Sequence, residues 1–269
     1  MAPVTAPRAR HRNAEWLPPG YQVSAQMREV AVPLVLFYSI LLPAGLAADL
    51  SGVVISPYRL AALALMPFAL RRMALMKMRP NLTDVLIFFG SIWAIVAMVS
   101  VSTIREGLEG GGSFFIDGFG SYLVGRAYLT DARKVRTFLL GALPGVLGVS
   151  AILVIESISH RLLIAPLFPQ RASLTNLYET RMGLLRARAV FALSGAAGMF
   201  LASLVPLYFL SRLPSRSRYV ATIVAVLGAF FTVSSSAILT LLLQFGLISY
   251  HAIFTRLFGT RERLIYLVI

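Results

Sequence analysis

The chain has 269 residues, of which 58% are hydrophobic and 13% charged, and its mean hydropathy is +0.78. Soluble domains carry roughly 45–50% apolar and about 25% charged residues, so soluble globular and disordered classes are excluded and a membrane protein is expected. A net charge of +14 on a soluble chain would point to nucleic acid, but here the basic residues mostly sit between apolar runs, which fits membrane orientation and argues against a nucleic-acid partner. There is no cysteine, and the three histidines (His11, His160, His251) lie far apart. Disulfides, thiolate nucleophiles and a histidine metal cluster are not expected.

Residues 1–29 are polar, broken by Pro and Gly, and carry Arg8, Arg10, Arg12 and Arg28. They lack the apolar core of a signal peptide and read as a cytoplasmic N-terminal tail, its later part (Trp16, Tyr21) lying along the membrane surface. A helix crossing about 30 Å of hydrocarbon needs about 20 residues. Apolar runs of that order lie near 30–49, 59–76, 84–104, 113–129, 137–158, 189–210, 219–235 and 236–254. The last two form one run that, as a single helix, would be about 54 Å long at 1.5 Å per residue. It must fold back, and Ser234-Ser235-Ser236 is the place expected. The apolar Leu264–Ile269 reads as the start of a ninth span, and the chain as a fragment or a truncated gene product. The predicted fold is all-α: a polytopic integral membrane helix bundle over 30–269, with about eight transmembrane helices plus the start of a ninth.

Charge assigns the sides. Arg8, Arg10, Arg12 and Arg28 in the tail, Arg71, Arg72, Lys77 and Arg79 after the second run, and Arg133, Lys134 and Arg136 after the fourth all fall on one side. Arg212, Arg216 and Arg218 after the sixth run and Arg256, Arg261 and Arg263 after the eighth join them. The positive-inside rule makes this side cytoplasmic, the chain multi-pass and the N-terminus internal.

Eight basic residues remain, Arg59, Arg105, Arg126, Arg161, Arg171, Arg181, Arg186 and Arg188, and seven of them belong at or near the external side. Five fall in the external arginine-rich segment 159–188, against the single acid Glu179. Cations kept on the disfavoured side call for an anionic partner such as phosphate, pyrophosphate or an acidic sugar, which guanidinium forks bind bidentately. A solvated helix with its arginines reaching lipid headgroups is the alternative; Arg171 and Arg188 fit that description best. The spacing of Arg181, Gly183 and Arg186 is helical, placing the two arginines within about 140° of each other at 100° per residue. Arg59, in Ser56-Pro57-Tyr58-Arg59, falls at the external mouth of the bundle, as a functional cation or an interfacial anchor. Arg126 lies near the cytoplasmic end of its span, where a charge faces a partner or snorkels to the surface. Asp117 and Glu156 lie near the external face, to pair structurally with the arginines or to bind a substrate hydroxyl. Asp84 fits the first turn of a helix. His160 is the candidate base. Met66, Met73, Met76 and Met78 are expected to pack against lipid, and Gly110-Gly111-Gly112 to form a flexible external turn.

Phosphate-loop, zinc-protease and Asp-x-Asp sugar-nucleotide motifs are missing, and Gly118, Gly120 and Gly125 do not complete a dinucleotide fingerprint. What remains is an ordered set of short motifs. They are Ser56-Pro57-Tyr58-Arg59, Gly120-Ser121-Tyr122-Leu123-Val124-Gly125-Arg126 followed by Asp131, Arg181-Met182-Gly183-Leu184-Leu185-Arg186-Ala187, and Ser234-Ser235-Ser236. In that order, across most of 30–260, the chain resembles the O-antigen ligase and Wzy polymerase superfamily, particularly exopolysaccharide-polymerase-like members.

The resemblance implies a glycosyltransferase of the bacterial inner (plasma) membrane. It would transfer a polyprenyl-diphosphate-linked glycan to a hydroxyl of an acceptor glycan, with no metal, cofactor or nucleotide sugar. Membrane lipids and other polysaccharide-assembly proteins would be its partners. Arg59, Arg181 and Arg186 would hold the diphosphate or glycan, with Arg126, Asp117 and Glu156 structural or supporting. Two departures are visible: Leu193-Ser194 stands where the family often has His-Pro, and the later external loop and closing helices that the resemblance leads one to expect are not within these 269 residues. A transporter or flippase for an anionic lipid-linked substrate, or an inactive truncated remnant, are the competing expectations.

Overall fold

The computed structural model describes residues 27–50, 53–168, 179–211 and 213–258. Most of the expected N-terminal tail, with Trp16 and Tyr21, lies outside the described residues, as do Arg171, Arg212, Arg261, Arg263 and the expected ninth-span start at Leu264–Ile269.

The described residues are mostly helical. Helix α1 spans Ala31–Ile40, α2 Pro57–Leu75, α3 Leu82–Val101, α4 Ile104–Phe115, α5 Ser121–Tyr128 and α6 Ala132–Ser159. After them come α7 over Ser194–Leu210, α8 over Ser215–Phe231 and α9 over Ser235–Phe258. Two antiparallel hairpins complete the set: β1 (Ala48–Leu50) with β2 (Val53–Ile55), and β3 (Thr180–Arg181) with β4 (Leu184–Leu185).

Among the described residues two helices, α3 with 20 residues and α6 with 28, are by length and composition apolar enough to cross a membrane. Helix α3 buries only Ser91 and leaves Trp93 71% exposed, an apolar surface that suits lipid and not water. Other expected spans fall short for identifiable reasons. Helix α2 has 19 residues but includes Arg59, Arg71 and Arg72. The expected span at 30–49 is helical only to Ile40; Pro43 then leads into a 3-10 turn at Ala44–Leu46 and the first hairpin. Proline has no amide hydrogen to continue a helix ladder, which is why the run breaks there.

The chain forms two compact units. The first comprises the described residues of 1–37 and 58–141. Its core joins Leu36, Ala62, Ala69, Leu123, Val124, Ala127 and Tyr128, with Met66 and Met73 packed against it. Those two methionines therefore serve the protein core and not lipid, a correction to the expectation from sequence. Gly110-Gly111-Gly112 is likewise no turn: all three lie inside α4. The turn sits earlier, at Ser102-Thr103, where Thr103 and Glu106 form a capping box. Helix α4 then packs backbone to backbone on α3. A Cβ on Gly107 would come within 2.5 Å of Val99 Cα, and one on Gly111 within 2.5 Å of Ile95 Cα. Two glycines four apart permit this approach, which matters where helices cannot rely on hydrophobic burial from water.

The second unit comprises the described residues of 38–57 and 142–269. Helix α7 is its centre, burying Ala197, Leu201, Ala202, Leu204, Val205 and Tyr208. The long apolar run 219–254 does break, at Thr232–Ser234, with Val233 at φ 48 between α8 and α9.

Candidate functional site

The arginine motif of the second unit is a hairpin, not a helix. Thr180 pairs with Leu185 and Arg181 with Leu184, and Met182 (φ 54) and Gly183 (φ 75) form the turn. Two positive φ values in a two-residue loop define the turn that matches strand twist. The helical spacing expected for Arg181 and Arg186 is thereby overturned. The signal available in sequence was Gly183 itself, a residue free to take this backbone conformation.

Helix α6 holds the hairpin in place. Ser157, fully buried, donates from Oγ to the Leu185 carbonyl at 2.9 Å. Beside it Glu156, also 0% exposed, accepts three backbone N–H bonds: Leu163 at 2.8 Å, Arg188 at 3.1 Å and Ala189 at 2.9 Å. A buried carboxylate is costly unless its oxygens are satisfied, and here the amides of Leu163, Arg188 and Ala189 satisfy it. Glu156 is thus a structural staple, fixing the chain on either side of the hairpin. Its partners are amides, which no side-chain motif could have indicated.

Within the hairpin the two arginines differ. Arg186 closes the strand pair, donating from its backbone N to the Glu179 carbonyl at 2.9 Å and from its guanidinium to the Glu179 carboxylate. Arg181 is exposed and has no acidic partner among the described residues; its Nη1 donates to Ser235 Oγ at 2.9 Å. Ser235 is the first residue of α9, and Ser234 and Ser236 share a 2.8 Å hydroxyl contact. The first turn of α7 lies alongside, since a Cβ on Gly195 would sit 3.7 Å from Ser234 Oγ and 3.8 Å from Ser236 Oγ. No side chain caps α7, whose Ncap residue is Leu193. Two helix N-termini and an arginine without an acid therefore converge. Free amides and positive helix-dipole ends favour anions, and a guanidinium adds charge-assisted donors.

His160 is exposed and follows the last residue of α6 with φ 54; its imidazole makes no hydrogen bond among the described residues.

The first unit places its arginines in ion pairs. Arg59 Nε and Nη2 each lie 3.1 Å from a different oxygen of Asp117, which also accepts from Tyr58 Oη at 2.8 Å. Asp117 stands on a π-helical turn, Ile116–Gly120, between α4 and α5. Such turns insert one residue per coil and re-aim side chains. Arg126 is anchored on Asp84, with Nε at 2.9 Å, and Tyr122 Oη donates to the same carboxylate oxygen at 2.5 Å. Asp84 also completes a capping box with Asn81 at the start of α3. Arg126 accordingly ties the end of α5 to the start of α3 within this unit.

No group of three or more His, Asp or Glu side chains able to hold a metal occurs among the described residues. Compared with protein-family models, curated proteins and solved structures, the chain matches none.

Proposed function

We infer that this chain is a glycan polymerase or ligase of the bacterial inner membrane, transferring a polyprenyl-diphosphate-linked oligosaccharide to an acceptor sugar in O-antigen or exopolysaccharide assembly. In this reading the helices span the membrane about eight times, with the tail cytoplasmic and the 159–188 segment outside. The observation that carries it is the exposed Arg181 at the N-terminus of α9, with no acid among the described residues to neutralise it.

The chemistry asks for such a site. The acceptor hydroxyl oxygen bonds to the anomeric carbon while the bond from that carbon to the diphosphate oxygen breaks. The electron pair leaves on the diphosphate, and the hydroxyl proton passes to a base. Negative charge grows on the departing group, where donors held in place beforehand stabilise it more than they stabilise the bound donor lipid. Arg181 and the amides of the α7 and α9 first turns are the donors assigned to this role. Arg186, braced on Glu179, keeps the hairpin in register, and Glu156 supports it. Arg59 and Arg126 shape the first unit through their acids.

Transport of an anionic lipid-linked substrate is less well supported, because Asp117 and Glu156, the acids that motivated it, are occupied by Arg59 and Tyr58 and by backbone amides. In cells that depend on this protein for surface polysaccharide, Arg181→Ala is expected to abolish polymer formation while membrane insertion stays normal. Wild-type polymer yield and length in that variant would refute the assignment.

A further inference from the structure

We propose that the tip of the 180–185 hairpin binds the apolar chain of the ligand: Met182 packs against the first isoprene units of an amphiphile whose anionic head lies at Arg181. This rests on the diphosphate reading and adds the hydrophobic half of the substrate to it.

Met182 is anomalous twice. Its φ of 54 lies in the left-handed region, and it is 88% exposed. The first position of this turn is normally given to Asn, Asp or Gly, which tolerate that backbone conformation. Four other non-glycine residues share it, and each has an evident reason. Lys77 and His160 are polar and end helices, whereas Ala189 and Val233 are buried, at 2% and 5% exposure, and held by packing. Among the described residues, Met182 alone combines positive φ with an exposed apolar side chain. The fold gains nothing from it: the backbone is strained and the side chain, 88% exposed, packs against almost none of the protein. Strain kept where folding does not use it points to a ligand.

The chemistry of that ligand follows from the neighbours. Arg181 is the adjacent residue, so an anion and an apolar group would be held by consecutive side chains of one turn. A prenyl diphosphate has that construction, its first isoprene unit bonded directly to the diphosphate. Methionine is unbranched and polarisable, and so adapts to an irregular branched hydrocarbon.

The test uses the full chain in nanodiscs of zwitterionic lipid, with farnesyl diphosphate and inorganic pyrophosphate as probes. Met182→Asn suits the turn and preserves the hairpin. It should weaken farnesyl diphosphate binding about fivefold, as expected for losing part of one apolar side-chain contact, and leave pyrophosphate binding unchanged. Met182→Leu should bind both probes like the wild type. Unaltered farnesyl diphosphate affinity in Met182→Asn would overturn the role of the tip. Arg181→Ala should weaken both probes; if it weakens neither, the diphosphate reading itself fails. Since the chain has no cysteine, Met182→Cys can carry a single environment-sensitive fluorophore. A blue shift on adding farnesyl diphosphate, absent with pyrophosphate, is expected. A full blue shift before any ligand is added would assign the tip to the bilayer and overturn the proposal.

Discussion

The guanidinium of Arg181 donates to the hydroxyl of Ser235 at 2.9 Å, joining two segments 54 residues apart in sequence. A hairpin and a helix N-terminus meet at this bond, and the phosphate-binding reading depends on their meeting. Ser235→Ala removes the hydroxyl but leaves the arginine and the helix amides. It should reduce polymer yield only a few-fold, with a loss of about 1 kcal/mol as for one ordinary hydrogen bond. Arg181→Lys keeps the charge and loses the fork, so it should fall between wild type and Arg181→Ala. Polymer yields from the three variants in one strain check this ranking.

Glu156 tests the bracing. Glu156→Ala leaves the buried Ala189 amide and the part-buried Leu163 and Arg188 amides without their acceptor. Each such donor costs about 1–3 kcal/mol, so the purified variant should unfold at a clearly lower temperature than wild type. Glu156→Gln retains one carbonyl acceptor and should lie between the two. Equal melting temperatures for all three would mean that the amides find other partners.

The glycines of α4 give a pair of opposite outcomes. A methyl group added at Gly112 would meet nothing within 4 Å, whereas one at Gly107 would stand 2.5 Å from Val99 Cα. Gly112→Ala should be neutral or stabilising by up to about 1 kcal/mol, as alanine is the better helix former. Gly107→Ala should destabilise by pushing α4 off α3, at a cost of about 1–3 kcal/mol for an overpacked site. Melting temperatures of the two variants check this. If Gly110–Gly112 were an external turn, Gly112→Ala would bring no gain.

Acid sensitivity should include a contribution from Asp131. Partial burial works to raise its pKa, but the backbone amide of Lys134 at 2.9 Å, together with the Lys134 ammonium, outweighs that and holds it below the usual aspartate range. A native pKa below the unfolded one, about 3.9, means stability that is fully present above that value and is lost as pH falls through the native pKa. Asp131→Asn should therefore shallow the fall in melting temperature at acid pH. A fall as steep as that of wild type would show that Asp131 contributes nothing to it.

The sequence made some of this legible. Apolar runs near 84–104 and 137–158 correspond to α3 and α6, and the length of 219–254 alone required the break found at Thr232–Ser234. The hairpin was not legible, because Arg181 and Arg186 are spaced as they would be on a helix and only Gly183 hints otherwise. Nor could composition reveal that Glu156 takes backbone amides, since amides carry no residue identity. The span expected at 30–49 failed for a local reason: high mean apolarity masks Pro43, and the helix stops at Ile40. Gly110-Gly111-Gly112 looked like a turn because close helix packing and flexible turns both select glycine.

Equilibrium binding of polyprenyl diphosphate to the purified full chain, measured at low and high salt for wild type and Arg181→Ala, tests the central claim most directly. Wild type should bind with an affinity that falls as salt rises, and Arg181→Ala should lose at least about tenfold at low salt, as when a charge-assisted contact worth about 1.5–3 kcal/mol is removed. Equal affinities for the two proteins, or binding indifferent to salt, would contradict a guanidinium site for the lipid diphosphate.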